Sequence, residues 1–351
     1  MKVAVVILNW NGKSFLEKFL PFVVSYTAPY AQLIVADNAS TDDSIAFLKA
    51  NYPQIKIIQN TSNGGFAKGY NDALKQVDAE YYVLLNSDVE VTPHWIEPLV
   101  ELMDSDETIA ACQPKIKSYN KKNYFEYAGA AGGFIDKYGY PFCRGRILDN
   151  VEEDKGQYND DREIFWATGA CLFIRANCFH QSKGFDEDFF AHMEEIDLCW
   201  RLKNAGYKIM FCAGSTVYHV GGGTLNKLSP QKTFLNFRNN LILLFKNHSS
   251  QYFIIKLFIR FILDGIAGIK FLISGEVGHF VAVIKAHFSF YASLPKTLDK
   301  RKQLKQQIRQ YTTSAVYLHC IIADYFLRGK KTFTEIDLKG RFLKQDLKKS
   351  V

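Results

Sequence analysis

The chain has 351 residues, 48% of them apolar and 23% charged, which is typical of a globular protein with one large domain or two. Its seven cysteines are odd in number and include no Cys-x-x-Cys pair, which argues against a disulfide framework and a zinc ribbon and fits a reducing cytosol. The six apolar residues after Lys2 are too few for the core of a secretory signal peptide.

The net charge of +7 is unevenly distributed along the chain. Residues 1–225 carry 21 Lys and Arg against 29 Asp and Glu, whereas residues 226–351 carry 22 against 7. We therefore expect an acidic N-terminal domain over 1–225 and a basic C-terminal region over 226–351. Such a region can bind nucleic acid or an anionic membrane surface, although a solvated helix face is the simpler interpretation.

Short apolar runs alternate with helical segments through the first half of the chain. The runs predict strands at 3–8, 33–36, 55–58 and 81–85, and the segments between and after them predict helices at 14–24, 42–51, 65–76 and 95–103. Alternation at this spacing predicts βαβ units and an α/β fold with a doubly wound, mostly parallel sheet. The run at 81–85 is continuously apolar, as in a strand buried on both faces.

Each predicted strand is followed by polar residues. Because the carboxyl ends of parallel strands lie at one edge of a sheet, we expect these clusters to converge on a single crevice. The first strand is not followed by Gly-x-Gly-x-x-Gly, and no Gly-x-x-x-x-Gly-Lys-Ser/Thr loop exists, which argues against a dinucleotide oxidoreductase and a P-loop nucleotidase. The clusters are Asn9-Trp10-Asn11-Gly12, Asp37-Asn38-Ala39-Ser40, residues 60–65 and Asn86-Ser87-Asp88.

Three of these clusters suggest contacts to a nucleotide. The Asp88 carboxylate can hold a divalent cation that in turn holds a diphosphate, although a plain turn after the strand explains the cluster equally well. Asp37 can accept hydrogen bonds from a nucleobase or ribose. Gly64 and Gly65 open a predicted helix, where free backbone N–H groups favour a base or phosphate, with an ordinary glycine turn as the alternative.

The pattern weakens between residues 110 and 164, where we expect loops and short strands that form the acceptor side. A buried strand with a small-residue break follows at 165–175, and a helix is predicted from residue 193. Its first turn carries Glu194, Glu195 and Asp197. The helix dipole and an ion pair between Asp197 and Arg201 explain part of this cluster, whereas Glu195 points to another face and is a candidate general base.

Taken in chain order, these motifs resemble those of bacterial glycosyltransferase family 2, and most closely those of its rhamnosyltransferase-like branch. The resemblance implies the GT-A fold, a Rossmann-like sheet that binds nucleotide-diphospho-sugars, here followed by a C-terminal helical region. It covers residues 1–225 through Ile7-Leu8-Asn9-Trp10-Asn11-Gly12, Asp37-Asn38-Ala39-Ser40-Thr41-Asp42, Asn63-Gly64-Gly65-Phe66-Ala67, Leu85-Asn86-Ser87-Asp88, Thr168-Gly169-Ala170, Gly184-Phe185-Asp186-Glu187, Glu194-Glu195-Ile196-Asp197-Leu198-Cys199-Trp200-Arg201 and Val217-Tyr218-His219.

The resemblance also implies roles for individual residues. Asp88 matches the metal-binding aspartate and His219 a late histidine that adds a second metal contact. Glu195 lies where the family usually has an aspartate that acts as catalytic base, so Glu194 and Asp197 remain rivals for that role. Asp37 and Asn63 match nucleobase-contacting positions of the family. Together with the clusters at the strand ends, this gives the predicted donor-binding residues Asn9, Asn11, Asp37, Asn63, Gly64, Gly65, Asn71, Asn86 and Ser87.

The implied reaction is a single inverting displacement that needs Mg²⁺ or Mn²⁺ and a nucleoside-diphosphate sugar. The acceptor would be a saccharide or a lipid-linked saccharide in cell-surface polysaccharide synthesis. We expect a cytoplasmic protein that can bind peripherally to the inner face of the cell membrane, and no nucleic-acid partner. Two alternatives are a sugar-1-phosphate nucleotidylyltransferase and a non-catalytic sugar-nucleotide-binding module that tethers a complex to the membrane.

In the basic region, a run of predicted helical segments opens at Phe237-Arg238-Asn239-Asn240, and the segment at 252–274 is apolar except for one narrow stripe. Lys256, Arg260 and Asp264 recur every four residues along it, and Lys270 adds a fourth charge, which argues against a transmembrane helix. Two interpretations remain. The helix is either a core element packed on the catalytic domain or an interfacial one that lies in the headgroup layer beside the basic residues at 296–305.

Overall fold

The computed structural model describes residues 1–27, 29–221, 229–248, 252–308, 314–337 and 342. Strands and helices alternate through its first half. The strands are β1 Val3–Asn9, β2 Gln32–Asp37, β3 Lys56–Gln59, β4 Tyr81–Asn86, β5 Val89–Val91, β6 Ile109–Ser118, β7 Gly133–Asp136, β8 Pro141–Cys143, β9 Arg146–Ile147, β10 Asn150–Val151, β11 Arg162–Ile164, β12 Cys171–Arg175, β13 Lys208–His219 and β14 Val316–Tyr317.

Four helices separate the N-terminal strands, and longer helices dominate the C-terminal region. The helices are α1 Lys13–Thr27, α2 Ser44–Asn51, α3 Gly65–Leu74, α4 Glu97–Ser105, α5 Ala176–Gln181, α6 Glu194–Asn204, α7 Pro230–Asn247, α8 Phe253–Ile273, α9 Val277–Gln307, α10 Ile321–Phe326 and α11 Phe333–Ile336, with a 3-10 turn at Glu187–Phe189. No helix in the described ranges is both long and apolar enough to cross a membrane.

The central sheet has nine strands in the order β11-β13-β6-β12-β4-β1-β2-β3, with β5 paired to β13. Strands β3, β2, β1 and β4 are parallel, as the sequence predicts, whereas β12 runs antiparallel to both β4 and β6. The apolar runs of β1 and β4 are buried because helices cover both faces of this half of the sheet. The carboxyl ends of the four parallel strands therefore lie along one edge.

The prediction of only loops and short strands over 110–164 is wrong for its first part. Strand β6 is ten residues long and lies inside the sheet, between β13 and β12, although Gln113 and Lys115 interrupt its apolar run. Both side chains are buried and bonded to the loops that follow: Gln113 donates to the carbonyl of Gly129, and Lys115 lies 3.3 Å from a carboxylate oxygen of Asp154. The sequence pattern did not predict this strand, because its two buried polar residues find their partners only in the folded chain.

A second sheet of five short strands has the order β10-β9-β8-β7-β14. Its edge strand β14 comes from the C-terminal region and pairs in parallel with β7. Phe333 of α11 packs over the same sheet, with its ring centroid 5.0 Å from that of Phe134. The predicted boundary near residue 225 falls within 222–228, outside the described residues, and the division into 1–225 and 226–351 stays a prediction.

Helix α8 packs on the body of the protein through its polar stripe. Arg260 and Asp264 are buried and paired at 2.8 Å, and Arg260 also donates to Asn240 of α7. The guanidinium lies 3.7 Å from the ring centroid of Tyr140, whose hydroxyl donates to Asp264 over 3.2 Å. The stripe thus faces inward, and the apolar side of the helix faces outward.

We predict that Arg260→Ala destabilises the fold by about 3 kcal/mol, because it leaves the Asp264 carboxylate buried without its main counter-charge. Equilibrium denaturation in urea, followed by circular dichroism, measures this as a lower midpoint. Lys285→Ala removes an exposed cation from the neighbouring helix α9 and should change the stability by less than about 0.5 kcal/mol. Equal midpoints for Arg260→Ala and the unmodified chain would contradict the structural role of the stripe.

Candidate active site

A polar network joins the ends of β1 and β2. The Asn9 amide donates to a carboxylate oxygen of Asp37 at 3.1 Å and to the Ser40 hydroxyl at 3.2 Å. The other Asp37 oxygen accepts from the backbone N–H of Ser40 at 3.0 Å. Asn9 and Asp37 are fully buried, so the network fixes the two strand ends relative to each other. The predicted contact of Asp37 with a nucleobase stays a prediction.

The second network surrounds the start of α3. Asn63 accepts a hydrogen bond from the Asn38 amide at 2.9 Å and another from the backbone N–H of Gly65 at 3.0 Å. Asn11 has a φ of +50° and accepts from the backbone N–H of Thr41 at 2.7 Å. The predicted donor-binding residues Asn11 and Asn63 therefore shape the loops at the sheet edge.

The backbone of Gly12 approaches this edge closely. A Cβ atom at Gly12 would lie 2.5 Å from Oδ1 of Asn9 and 3.5 Å from Oγ of Ser87. Oδ1 of Asn9 is buried without a hydrogen-bond partner among the described residues. The tight fit brings Ser87, which follows β4, beside the loop that follows β1, as the convergence of strand ends predicts.

Two other predicted residues connect neighbouring segments. The backbone N–H of Asn86 donates to the carbonyl of Ala170 at 3.0 Å, which joins the end of β4 to the loop before β12. The Asn71 amide donates to the carbonyl of Phe185 at 2.9 Å, and its oxygen accepts from the Phe185 N–H at 2.9 Å. The Asn71 side chain is therefore hydrogen-bonded to the loop at 184–187. Its predicted contact with the donor stays a prediction.

Asp88 and His219 lie together because of strand pairing. His219, the last residue of β13, is opposite Val89 of β5 in the antiparallel register, and Asp88 directly precedes that strand. Nε2 of His219 is 3.1 Å from Oδ1 of Asp88, and both side chains are buried. The sequence assigned these two residues to one metal site, and the structure places them side by side.

Glu126 is a member of this cluster that sequence reasoning missed. Its Oε2 lies 3.5 Å from Nδ1 of His219, on the opposite side of the ring from Asp88. Burial lowers the pKa of His219, but the charges and hydrogen bonds of Asp88 and Glu126 outweigh it and raise the pKa to about 10. Burial acts to raise the pKa of Asp88, and the neighbouring imidazolium prevails and lowers it. Glu126 is a single acid among aromatic residues, and no sequence motif marked it as a site residue.

These residues fit a divalent cation that is shared with a ligand. No group of three or more His, Cys, Asp or Glu side chains able to hold a metal occurs in the part of the chain that the structure describes. Mg²⁺ is usually bound by one or two carboxylates plus substrate phosphates and water, at about 2.1 Å, and Asp88 supplies such a carboxylate. The 3.1 Å contact between Asp88 and His219 is a hydrogen bond from the imidazolium, so His219 can bind a cation through Nε2 only after losing that proton.

The loop before α6 is strained. Phe190, His192 and Met193 have φ angles of +58°, +68° and +76°, a region that costs roughly 1–3 kcal/mol for each residue other than glycine. The side-chain amide of Asn239 in α7 holds the loop by donating to the carbonyls of Phe189, Ala191 and His192 at 2.8 to 3.0 Å. Strain of this kind, held by surrounding structure, is typical of functional sites.

Glu194 and Glu195 follow that loop in the first turn of α6. Each has a side-chain Oε2 that is buried without a hydrogen-bond partner among the described residues. Burial raises the pKa of Glu195 to about 7, against the opposing effect of backbone N–H groups. Burial and the charge of Glu195 raise the pKa of Glu194 much further. The two neighbouring carboxyls therefore differ in their readiness to ionise.

Asp197 has a different environment. It is completely buried and bonded to Arg201 at 2.8 Å, to Lys246 at 2.7 Å and to the Asn247 amide at 2.7 Å. The ion pair with Arg201 is the one that the helical spacing predicts. With its oxygens engaged by two cations and an amide, Asp197 ties α6 to α7, and this geometry disfavours it as the base.

The loop at 167–170 connects the two halves of the site. The backbone N–H of Ala167 lies 3.5 Å from Sγ of Cys199, which is one turn beyond Glu195 on the same face of α6. The Thr168 hydroxyl donates to the carbonyl of Ala128 at 3.0 Å, two residues from Glu126. The same loop therefore contacts both the helix that carries Glu194 and Glu195 and the segment that carries Glu126.

The sequence has relatives among known proteins. A model of the family described as glycosyl transferase family 2 matches residues 4–180. An N-acetylglucosaminyl-diphospho-decaprenol L-rhamnosyltransferase of Mycobacterium tuberculosis is 24% identical over 262 residues, which cover 71% of this chain and 85% of that protein. The rhamnosyltransferase WbbL of Escherichia coli is 21% identical over 230 residues, which cover 62% and 83%.

Solved glycosyltransferase structures share the fold. GalNAc-T7 with UDP, GalNAc and Mn²⁺ superposes with a TM-score of 0.53 at 17% identity, covering 70% of this chain and 47% of that one. The mannosyltransferase PcManGT of Pyrobaculum calidifontis with GDP-Man and Mn²⁺ gives 0.51 at 14% identity, covering 87% and 84%. These likenesses show the fold alone, and they confirm the GT-A prediction. Because the family model spans half of its length, the chain belongs to glycosyl transferase family 2 and is similar to its rhamnosyltransferases.

Proposed function

We propose that this chain is an inverting, metal-dependent glycosyltransferase that moves a sugar from a nucleoside-diphosphate donor to a saccharide or lipid-linked acceptor. The proposal rests on two chemically different groups of residues on segments that contact the loop at 167–170. One site is the buried Asp88–His219 pair, which suits a metal-bound diphosphate. The other is Glu195, a carboxyl whose pKa is about 7.

The donor would lie along the carboxyl edge of the parallel strands. Asn9, Asp37 and Asn63 would contact the nucleoside, and Ser87 the diphosphate beside Gly12. The unpartnered Oδ1 of Asn9 supports a donor contact there, because buried polar atoms are normally hydrogen-bonded. A bound Mg²⁺ or Mn²⁺ would be held by Asp88 and His219 and would stabilise charge on the departing diphosphate. Glu126 would orient the ring of His219 from its other nitrogen.

Glu195 would act as the general base. It would remove the proton from the acceptor hydroxyl while that oxygen attacks the anomeric carbon from the face opposite the diphosphate, so that the configuration inverts. A pKa near the working pH suits this role. Burial and the charge of Glu195 raise the pKa of Glu194 well above its usual range, which makes Glu194 the less suitable of the two as the base.

The relatives guide the choice of substrates. The name of the mycobacterial relative describes transfer of L-rhamnose to N-acetylglucosaminyl-diphospho-decaprenol. We therefore expect transfer from dTDP-rhamnose in a panel that also contains UDP- and GDP-sugars, with a polyprenyl-diphosphate saccharide as acceptor. Release of nucleoside diphosphate and an inverted anomer in the product, determined by NMR, would support the proposal. Release of pyrophosphate would instead identify a nucleotidylyltransferase.

We predict that Asp88→Ala abolishes the metal-dependent part of nucleoside-diphosphate binding, because it removes the only carboxylate in direct contact with Nε2 of His219 among the described residues. Isothermal titration with nucleoside diphosphate, in Mn²⁺ and in EDTA, should give the same weak affinity for this variant. Glu126→Gln keeps the shape but loses the charge, and should weaken metal affinity by about 10- to 100-fold.

Asp78→Ala is the matched control for the metal prediction. Asp78 is an exposed aspartate between α3 and β4, at the sheet edge opposite the site. This variant should bind nucleoside diphosphate as the unmodified chain does. Unchanged affinity of the unmodified chain on replacing Mn²⁺ by EDTA would overturn the metal assignment.

We predict that Glu195→Gln lowers the transfer rate by about 10²- to 10⁴-fold and leaves donor binding intact, because the amide keeps the shape but cannot take a proton. In the unmodified chain the rate should rise with pH through about 7, since only the ionised carboxylate is a base. Single-turnover rates across the pH range measure both effects. A near-normal rate for Glu195→Gln, together with an inactive Glu194→Gln or Asp197→Asn, would show that another carboxyl is the base.

A further inference from the structure

Helix α8 exposes a broad apolar face. Eight of its large apolar side chains are exposed, and they include Ile254, Phe258, Ile262, Ile266 and Ile273, whose spacing places them along one side of the helix. At about 100 Å² for each half-exposed large side chain, the face presents on the order of 800 Å². The largest apolar patch of a typical monomer is roughly 300–600 Å² and is often functional.

The orientation of α8 is fixed, so this exposure is a property of the fold. Arg260 and Asp264 point to the opposite side of the helix, where they bond to each other and Arg260 donates to Asn240. Turning the apolar face inward would break these buried bonds and expose the charges. The usual arrangement of a surface helix, with polar residues outward, is therefore reversed in α8.

Helix α9 extends the apolar face. It follows α8 after a short turn and exposes Val281, Ile284, Phe288 and Tyr291 along one stripe. Phe261 of α8 packs edge-to-face on Tyr291, with ring centroids 5.8 Å apart, so the stripes of the two helices adjoin. More than half of the large apolar side chains that are exposed in the described residues belong to these two helices.

The charges around the face are mostly positive. Exposed lysines on the two helices and their connecting turn outnumber exposed acids by five to two, the acids being Glu276 and Asp299. Two of the five are already in ion pairs, Lys296 with Asp188 and Lys302 with Asp299. Lys270 and Lys285 lie among the exposed apolar residues. Apolar side chains with lysines among them match the interface of an anionic bilayer, where the acyl boundary lies beneath negative headgroups. A second copy of the chain would instead oppose lysines to lysines.

We propose that the apolar face of α8 and α9 inserts into the headgroup and acyl boundary of an anionic lipid bilayer and docks the protein on the membrane. The inserted helices lie in the plane of the surface, because the Arg260–Asp264 stripe stays bonded to the body. Lysines at the rim contact lipid phosphates, and the isoleucines and phenylalanines contact acyl chains. This surface is separate from the candidate active site.

A short rigid path links the docking face to the catalytic loop. Asn240 accepts the bond from Arg260, and the adjacent Asn239 holds the loop at 189–192 before Glu194. Docking therefore fixes how the carboxylates of α6 lie relative to the membrane. That consequence rests on the proposed function, because it matters for an acceptor that is anchored in lipid, whereas the docking itself does not depend on it.

Vesicle flotation tests the docking without donor or acceptor, so its outcome is independent of transferase activity. The full chain is mixed with vesicles of phosphatidylcholine and phosphatidylglycerol at low and at high salt. We expect binding at low salt and a remaining bound fraction at high salt, since salt screens the lysines but not the apolar insertion. Vesicles of phosphatidylcholine alone should retain only the salt-resistant part.

Phe258→Glu combined with Ile266→Glu separates insertion from charge. Both positions are exposed, so the variant should fold, as its circular dichroism and nucleoside-diphosphate affinity would show. We expect its bound fraction at high salt to fall by about tenfold or more. Phe22→Glu changes an exposed phenylalanine of α1 and should bind vesicles as the unmodified chain does.

Two outcomes would overturn the proposal. One is that the full chain stays unbound with anionic vesicles at both salt concentrations. The other is that light scattering without lipid shows a dimer that Phe258→Glu with Ile266→Glu dissociates, while vesicle binding is the same in both proteins. The second result would assign the face to a second copy of the chain.

Discussion

The antiparallel pairing of β5 with β13 is the constraint on which the candidate site depends. It places His219 opposite Val89 and therefore beside Asp88, although 131 residues separate the two side chains that meet. Strand β13 also pairs with β6, whose following loop carries Glu126 to the other nitrogen of the same ring. The pairings of β13 thus bring Asp88, Glu126 and His219 together. A shift of the β13 register by one residue would turn His219 to the other face of the sheet.

The other part of the candidate site, the loop before α6 and the first turn of that helix, contains backbone strain and buried acids that destabilise the fold. Three residues with positive φ precede α6, and two carboxyls with raised pKa values open it. Because these acids ionise more readily in the unfolded chain, their destabilising effect grows as pH rises from the unfolded-state pKa to the folded-state pKa and is constant above it. The Asn239 amide and the bonds of Asp197 to Lys246 and Arg201 offset these terms by anchoring the loop and the helix. Of the three acids in the first turn of α6, Glu194 and Glu195 each keep an Oε2 without a hydrogen-bond partner among the described residues, whereas both oxygens of Asp197 are bonded.

The C-terminal helices show how burial can reverse a sequence pattern. In α8 the charged stripe is the buried side, because Arg260 and Asp264 neutralise each other and find Asn240 and Tyr140 as partners. Buried charges are tolerated where they are paired and hydrogen-bonded. The same bonds hold the apolar side outward and connect it through α7 to the loop before Glu194.

The sequence by itself determined the four parallel strands, the convergence of their polar ends and the family, because apolar runs and their flanking motifs are local signals. It also identified Asp88 and His219 as partners through the resemblance. Only the tertiary structure revealed strand β6, whose polar Gln113 and Lys115 find partners in distant loops, and the position of Glu126 behind His219. The different surroundings of Glu194, Glu195 and Asp197, and the side that α8 turns to solvent, also depend on contacts far apart in sequence, which periodicity does not encode.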